Sequence, residues 1–178
     1  MIMKKALFLH AWYATPKSGW YPWLNTELQK KGYEIWMPEI PTMPTKSPDM
    51  ETMLKFLIEK NFIDERTVVI GHSLGAVLAL RLAERVKFGK GILLAAWDYN
   101  DLTPEHQNFW PNMLNHELIK KNVPEWVALI SENDPYVAKF IALAMADRLS
   151  AIAVDMGAKG HFLTKDGVVE VPEILEHL

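Results

Sequence analysis

One five-residue stretch combines the residue types of nucleophilic chemistry at the spacing that chemistry needs. Gly71-His72-Ser73-Leu74-Gly75 follows the apolar run Thr67-Val68-Val69-Ile70 and precedes Ala76-Val77-Leu78-Ala79-Leu80, a strong helix former. A nucleophilic serine must stand on a tight strand-to-helix turn, where its hydroxyl is exposed and neighbouring backbone crowds it. Glycines at 71 and 75 relieve that crowding. The following helix aims its free N–H groups and positive end at the site, which makes the Leu74 N–H a candidate donor to a developing oxyanion. The competing reading, a chance match in a surface turn, leaves the flanking strand and helix patterns unexplained.

A serine hydroxyl is a poor nucleophile near neutral pH, so a base must take its proton and a carboxylate must orient that base. In sheets with this turn the chain order is Ser, then Asp or Glu, then His. Of the six histidines, His161 has the right place: it follows the last apolar run in Met156-Gly-Ala-Lys-Gly-His-Phe162. His10 and His72 precede or flank the serine, His106 and His116 lie in polar mid-chain segments, and His177 sits near the end of the chain. The favoured acid is Asp134 in Ser131-Glu-Asn-Asp-Pro-Tyr136, where Asp before Pro also reads as a helix N-cap. Asp98, Asp155 and Glu132 remain open alternatives.

The elements that must hold these residues alternate along the chain. Short apolar runs at Ala6–His10, Glu34–Met37, Thr67–Ile70, Gly91–Ala95, Trp126–Ser131 and Ala151–Met156 read as buried strands. Helical stripes lie between them: Trp20, Trp23, Leu24 and Leu28, stopped by Gly32; Met50 to Ile58, entered through Ser47-Pro48-Asp49; Ala76 to Val86; Val137 to Ala144; and Val171 to Leu178. Strand–helix alternation implies right-handed βαβ units and a parallel sheet covered on both faces, with chemistry at the carboxyl ends of the strands. The expectation is one α/β domain spanning residues 1–178.

Composition narrows the partners. A formal net charge of −3 without a long basic run argues against nucleic acid or an anionic membrane surface. No cysteine is present, which removes disulfides, thiolate metal sites and cysteine nucleophiles, and fits a reducing, cytoplasmic setting. The apolar run Ala6–Leu9 is shorter than the roughly 7–15 residues of a secretory signal core, so it reads as a first strand. The expected partner is a small-molecule substrate, with the chain a monomer or small homo-oligomer and no metal or organic cofactor.

With these residues placed, the chain resembles the small serine-hydrolase family that includes retinoblastoma-binding protein nine and its bacterial relatives. The resemblance rests on Gly19-Trp20-Tyr-Pro-Trp23-Leu24, Met37-Pro-Glu-Ile-Pro41, Gly71-His-Ser-Leu-Gly-Ala76, Asn133-Asp-Pro-Tyr-Val137 and Gly160-His-Phe162. It implies an α/β-hydrolase fold with six strands in the order 2-1-3-4-5-6, no lid domain, and a triad of Ser73, Asp134 and His161. It also implies a second oxyanion donor from the backbone after strand one, at Trp12. Many relatives carry His-Gly there, whereas this chain has His10-Ala11. The family's contact motif for retinoblastoma protein needs a cysteine, so that partner is not expected here.

The implied reaction is hydrolysis of small to medium carboxylic esters or thioesters through an acyl-enzyme; amide or C–C hydrolysis would use the same residues. A catalytically weak binding or scaffold protein on the same fold is the alternative from another class. Trp97 to Met113 is too short for a lid domain but rich in aromatics. His10, Trp20, Trp97, Phe109 and Trp110 are candidate pocket residues; the equal alternative is that these aromatics seal the core beneath a long loop.

Overall fold

The computed structural model describes residues 3–178. Six strands form one sheet: β1 (Lys4–Leu9), β2 (Tyr33–Trp36), β3 (Thr67–His72), β4 (Lys90–Leu94), β5 (Glu125–Ile130) and β6 (Ile152–Asp155). Their order is β2-β1-β3-β4-β5-β6 and every pairing is parallel, as the sequence patterns and the resemblance imply.

Alternation along the strands sorts the core into two clusters, because successive side chains point to opposite faces. Leu7, Leu9, Val69, Leu93, Ala128 and Ile130 pack with α2 (Met50–Glu59), α3 (Leu74–Ala83), α4 (His116–Asn122) and α5 (Lys139–Arg148). Ala6, Phe8, Val68, Ile70, Ile92, Leu94, Val127 and Leu129 pack with α1 (Tyr21–Lys30) and the one-turn α6 (Glu173–Glu176). Leu24 and Leu28 on α1 are fully buried, each contributing about 1.5–3 kcal/mol. At the start of α2, Asp49 accepts from the Thr52 N–H at 2.8 Å, a side-chain cap on a helix the sequence marks with Ser-Pro-Asp.

Three elements depart from expectation. The helix expected from Val137 begins at Lys139, with Ala138 at the N-cap position and no side-chain cap. The last helix is only one turn. A further helix, α4, is present, its first turn capped by the Asn115 side chain on the Leu118 N–H at 3.0 Å. Between β4 and α4 the chain makes only a 3₁₀ segment, Pro104–Phe109, and no lid. Arg81 of α3 holds that segment down. Its buried guanidinium donates to the Phe109 carbonyl at 2.8 Å and the Asn112 carbonyl at 2.6 Å, and pairs with Glu84 at 2.8 Å. The loop is thus fastened to the body of the protein through a fully bonded buried charge.

Candidate active site

The turn between β3 and α3 is strained where the sequence requires it. Ser73 has φ 56° and ψ −123°, a conformation that non-glycine residues avoid and that costs on the order of 1–3 kcal/mol. The surroundings over-determine it. The Ser73 N–H donates to the Leu94 carbonyl at 2.9 Å, and the Ser73 carbonyl accepts from Ala76 at 2.8 Å. A side chain at Gly75 would overlap the carbonyl oxygens of Leu9 and His10, so α3 can start this close to β1 only with glycine there.

Ser73, His161 and Asp134 come from three different strand ends and meet in one line of hydrogen bonds. His161 Nε2 lies 2.8 Å from Ser73 Oγ. His161 Nδ1 lies 2.8 Å from Asp134 Oδ2 and 3.0 Å from Oδ1. A carboxylate can only accept, so Nδ1 carries the proton and Nε2 presents a lone pair to the serine hydroxyl. Asp134 also serves the local backbone: its Oδ1 accepts from Tyr136 N–H at 2.9 Å and Val137 N–H at 3.1 Å. The capping role foreseen for it is therefore made on this turn rather than on α5.

The other carboxylates are engaged elsewhere. Asp98 forms a two-pronged pair with Arg148, both bonds at 2.7 Å, and meets His116 at 2.7 Å. Asp155 pairs with Lys139 at 2.7 Å, which with the Gly157 N–H holds its carboxyl below the usual range. Glu132 is exposed.

The loop carrying His161 is fixed by its own side chains. Gly160 has φ 53°, and a Cβ there would collide with the Asp166 carboxylate. That carboxylate accepts from the N–H groups of His161 at 2.9 Å and Leu163 at 3.1 Å, while Asn133 accepts from Gly160 at 2.8 Å. Tyr136, which the sequence reading did not single out, sets its ring edge-on to His161 with centroids 4.8 Å apart, and most of it is exposed. Its place two residues after Asp134 is the only sequence signal for that role.

Across the nucleophile turn lies the loop after β1. Trp12 is anchored by its indole N–H to the Thr45 carbonyl at 2.8 Å and stacks on the exposed Tyr13 ring at 4.8 Å. The left-handed backbone conformation in this loop falls on Tyr13 and not on Ala11, so alanine is tolerated where many relatives carry glycine. Among the described residues, the backbone N–H groups of Trp12 and Leu74 have no acceptor within the protein, whereas those of Ser73 and Tyr13 are taken by Leu94 and Met43.

Burial corrects the pocket expectation for His10, Trp20 and Phe109, whereas Trp97 and Trp110 keep about as much exposed surface as Ser73 and His161. His10 has no exposed surface; its Nδ1–H donates to the Ala11 carbonyl and its Nε2 accepts from the Ile40 N–H, both at 3.0 Å. Trp20 is buried, with its indole bonded to the Phe162 carbonyl at 2.8 Å. Phe109 and Trp97 belong to the core cluster under the post-β4 loop. Trp110 borders a hollow of about 660 Å³ shared with Asp98, Tyr99, Leu114, His116 and Arg148, and neither Ser73 nor His161 is among its walls. Arg81 holds the stretch carrying Phe109 and Trp110 against α3 through the Phe109 and Asn112 carbonyls.

Among the described residues no group of three or more His, Asp or Glu side chains is placed to hold a metal ion, and no helix is long and apolar enough to cross a membrane. Comparison with known proteins agrees with this geometry. The chain is 30% identical over 147 residues to serine hydrolase RBBP9 of Rattus norvegicus, covering 81% of this chain and 78% of that protein. It is 25% identical over 182 residues to the YdeN hydrolase of Bacillus subtilis, covering 98% and 94%. The crystal structure of the B. subtilis ydeN gene product superposes with a TM-score of 0.88 at 23% identity, over 98% of this chain and 96% of that one. Carboxylesterase CesB from the same organism shares the fold at a TM-score of 0.67 and 13% identity, over 98% and 81%. The sequence pattern of the serine hydrolase family matches residues 6–178, and with this fold and this nucleophile turn the chain belongs to that family.

Proposed function

We infer that this serine hydrolase cleaves small to medium carboxylic esters or thioesters through an acyl-enzyme on Ser73. The observation that carries the reading is the unbroken hydrogen-bond sequence from Ser73 Oγ through His161 to Asp134. As Ser73 Oγ attacks the carbonyl carbon, its proton passes to His161 Nε2, and Asp134 stabilises the imidazolium that forms. The negative charge on the former carbonyl oxygen is received by the N–H groups of Leu74 and Trp12, both free of protein acceptors. Collapse expels the alcohol or thiol, which takes the proton from His161. Water then enters, gives a proton to His161 and attacks the acyl carbon. The second collapse releases the acid and returns the proton to Ser73 Oγ.

Covalent labelling by a fluorophosphonate tests this without knowledge of the natural substrate. The protein should be modified once, on Ser73, and Ser73→Ala should stay unlabelled. Undiminished labelling of Ser73→Ala would sink the mechanism.

A further inference from the structure

Next to the nucleophile in sequence, and beneath it in the fold, is a histidine that none of these steps uses. His72 has no exposed surface, and burial, with the nearby His161, pushes its pKa down to about 3, so the ring is neutral near neutral pH. Both ring nitrogens are engaged. Nε2 is 2.9 Å from the carbonyl oxygen of His161, and Nδ1 is 2.7 Å from the hydroxyl of Tyr21. A carbonyl only accepts, so Nε2 carries the proton. Nδ1 then has only a lone pair, and Tyr21 must donate to it. Tyr21 Oη in turn accepts from the Ala11 N–H at 3.4 Å. The chain of bonds has a single direction, from the loop after β1, through Tyr21 and His72, to the backbone of His161.

We propose that Tyr21 and His72 are positioning residues, a buried strut that sets the backbone of His161 against the nucleophile turn and the oxyanion loop. The proposal rests on the acyl-transfer reading above and names residues that act through the reacting groups without touching substrate.

Three observations support it. First, the contacts close a ring: His72 is bonded through the chain to Ser73, through space to the His161 carbonyl, and the His161 imidazole returns to Ser73 Oγ. The distance between the reacting hydroxyl and its base is therefore a property of this ring. Second, the backbone being held is strained. Phe162, next to His161, is a non-glycine residue at φ 57°. Such a conformation persists only when its surroundings over-determine it. Its carbonyl is taken by the indole N–H of Trp20, so the adjacent residues Trp20 and Tyr21 hold consecutive carbonyls of the loop, one directly and one through His72. Third, an apolar residue would fill the space of His72 without the cost of desolvating an imidazole and a phenol. That cost is offset only when every polar atom is bonded, as they are here.

The test is steady-state hydrolysis of p-nitrophenyl acetate by wild type, Tyr21→Phe, His72→Leu and His72→Gln, with folding checked by circular dichroism and thermal unfolding. The glutamine amide nitrogen can stand where Nε2 stood and donate to the same carbonyl. Small misplacements of a catalytic base cost up to about 10²-fold, so kcat should fall about tenfold in Tyr21→Phe and roughly 30- to 100-fold in His72→Leu, with KM within about threefold. His72→Gln should recover kcat to within about threefold to fivefold of wild type. A purely packing role would not separate Gln from Leu in this direction or spare KM. If His72→Leu does not fold, Tyr21→Phe and His72→Gln decide alone. A wild type that turns over ester beside a folded Tyr21→Phe with unchanged kcat overturns the strut only. A wild type that neither turns over ester nor takes the fluorophosphonate at Ser73 overturns the acyl-transfer reading and the strut with it.

Discussion

The Asp134 carboxylate meets the His161 ring through both of its oxygens, at 2.8 and 3.0 Å, and its side chain is almost wholly buried. Such a carboxylate does more than carry charge: it decides which nitrogen of His161 holds the proton. An amide in its place can turn its N–H₂ toward Nδ1, leaving the proton on Nε2, where it faces the serine and blocks base action. Asp134→Asn should therefore lower kcat about 10⁴-fold while the protein stays folded and Ser73 stays in place. Turnover of p-nitrophenyl acetate by the purified variant measures this. A loss under tenfold would return Asp134 to the role of a turn cap.

Asp98 provides the contrast, because it is as buried as Asp134 and bonded to a histidine, yet its partners are Arg148 and His116. Its work is to tie the start of α4 to the end of α5. Asp98→Asn should keep kcat within roughly tenfold of wild type and lower stability. Breaking a fully buried pair costs about 3–5 kcal/mol, but the Arg148 side chain is 45% exposed and can return to water, so a loss of about 2 kcal/mol is expected. Urea unfolding beside the activity assay separates the two effects. A large fall in kcat with unchanged stability would move the orienting acid to the β4 end.

The sheet and the three bonded residues are the parts most legible in the sequence. The apolar runs of β1, β3, β4 and β5 are buried on both faces and lack alternation. The edge strand β2 is only partly buried and the edge strand β6 is largely exposed, contrary to the buried strand expected there. Spacing and charged or Gly/Pro borders still mark all six. Gly71 and Gly75 mark the turn, and chain order selects His161. The rest depends on contacts far apart in sequence. Nothing local distinguishes Tyr21 from the other aromatics of α1, and its partner His72 is reached only when β3 and α1 pack. The fate of Phe109 turns on Arg81, a charge inside a helix that composition would place in water. Helix α4 has only Ile119 buried, too little for an apolar stripe, although Asn115 and Glu117 mark its start. The onset of α5 is displaced because Asp134 spends its capping bonds on the turn before it.

Acid should destabilise the protein earlier than its carboxylates alone would require. Burial lowers the pKa of His10, His72 and His106 from the ordinary 6.5, in His72 to about 3. As pH falls below 6.5 the unfolded chain takes up protons on these residues before the folded chain does, so stability is full above 6.5 and is lost on acidification. Each such group contributes a slope of up to about 1.4 kcal/mol per pH unit while it remains neutral in the fold. Asp49 and Asp155, whose pKa values are lowered from 3.8, add their losses only near and below that value. Between pH 6.5 and 4.5 the histidines therefore dominate. Urea midpoints measured across that range should fall steadily, and less steeply in His72→Gln. A flat profile would contradict the neutral, buried state assigned to these rings.

Substrate length is set by what surrounds Ser73 and by what the chain lacks. Tyr136, edge-on to His161, and Tyr13, in the loop after β1, are both largely exposed. The post-β4 segment, which would have to fold over the site as a lid, is fastened to α3 by Arg81, with Phe109 fully buried beneath it. With such exposed side chains near the site and no lid over it, a short acyl group should be sheltered better than the far end of a long chain. Each buried methylene contributes only about 0.8 kcal/mol, a few-fold in affinity, and nothing once it projects past the rim. Across a series of p-nitrophenyl esters, kcat/KM should peak among short to medium acyl groups and then level off or fall. Freeing the loop with Arg81→Ala should not extend the optimum toward longer chains, because it removes a fastening without building a tunnel. A steady rise in wild-type kcat/KM out to palmitate-length esters would require a covered channel leading from Ser73 and would overturn this expectation.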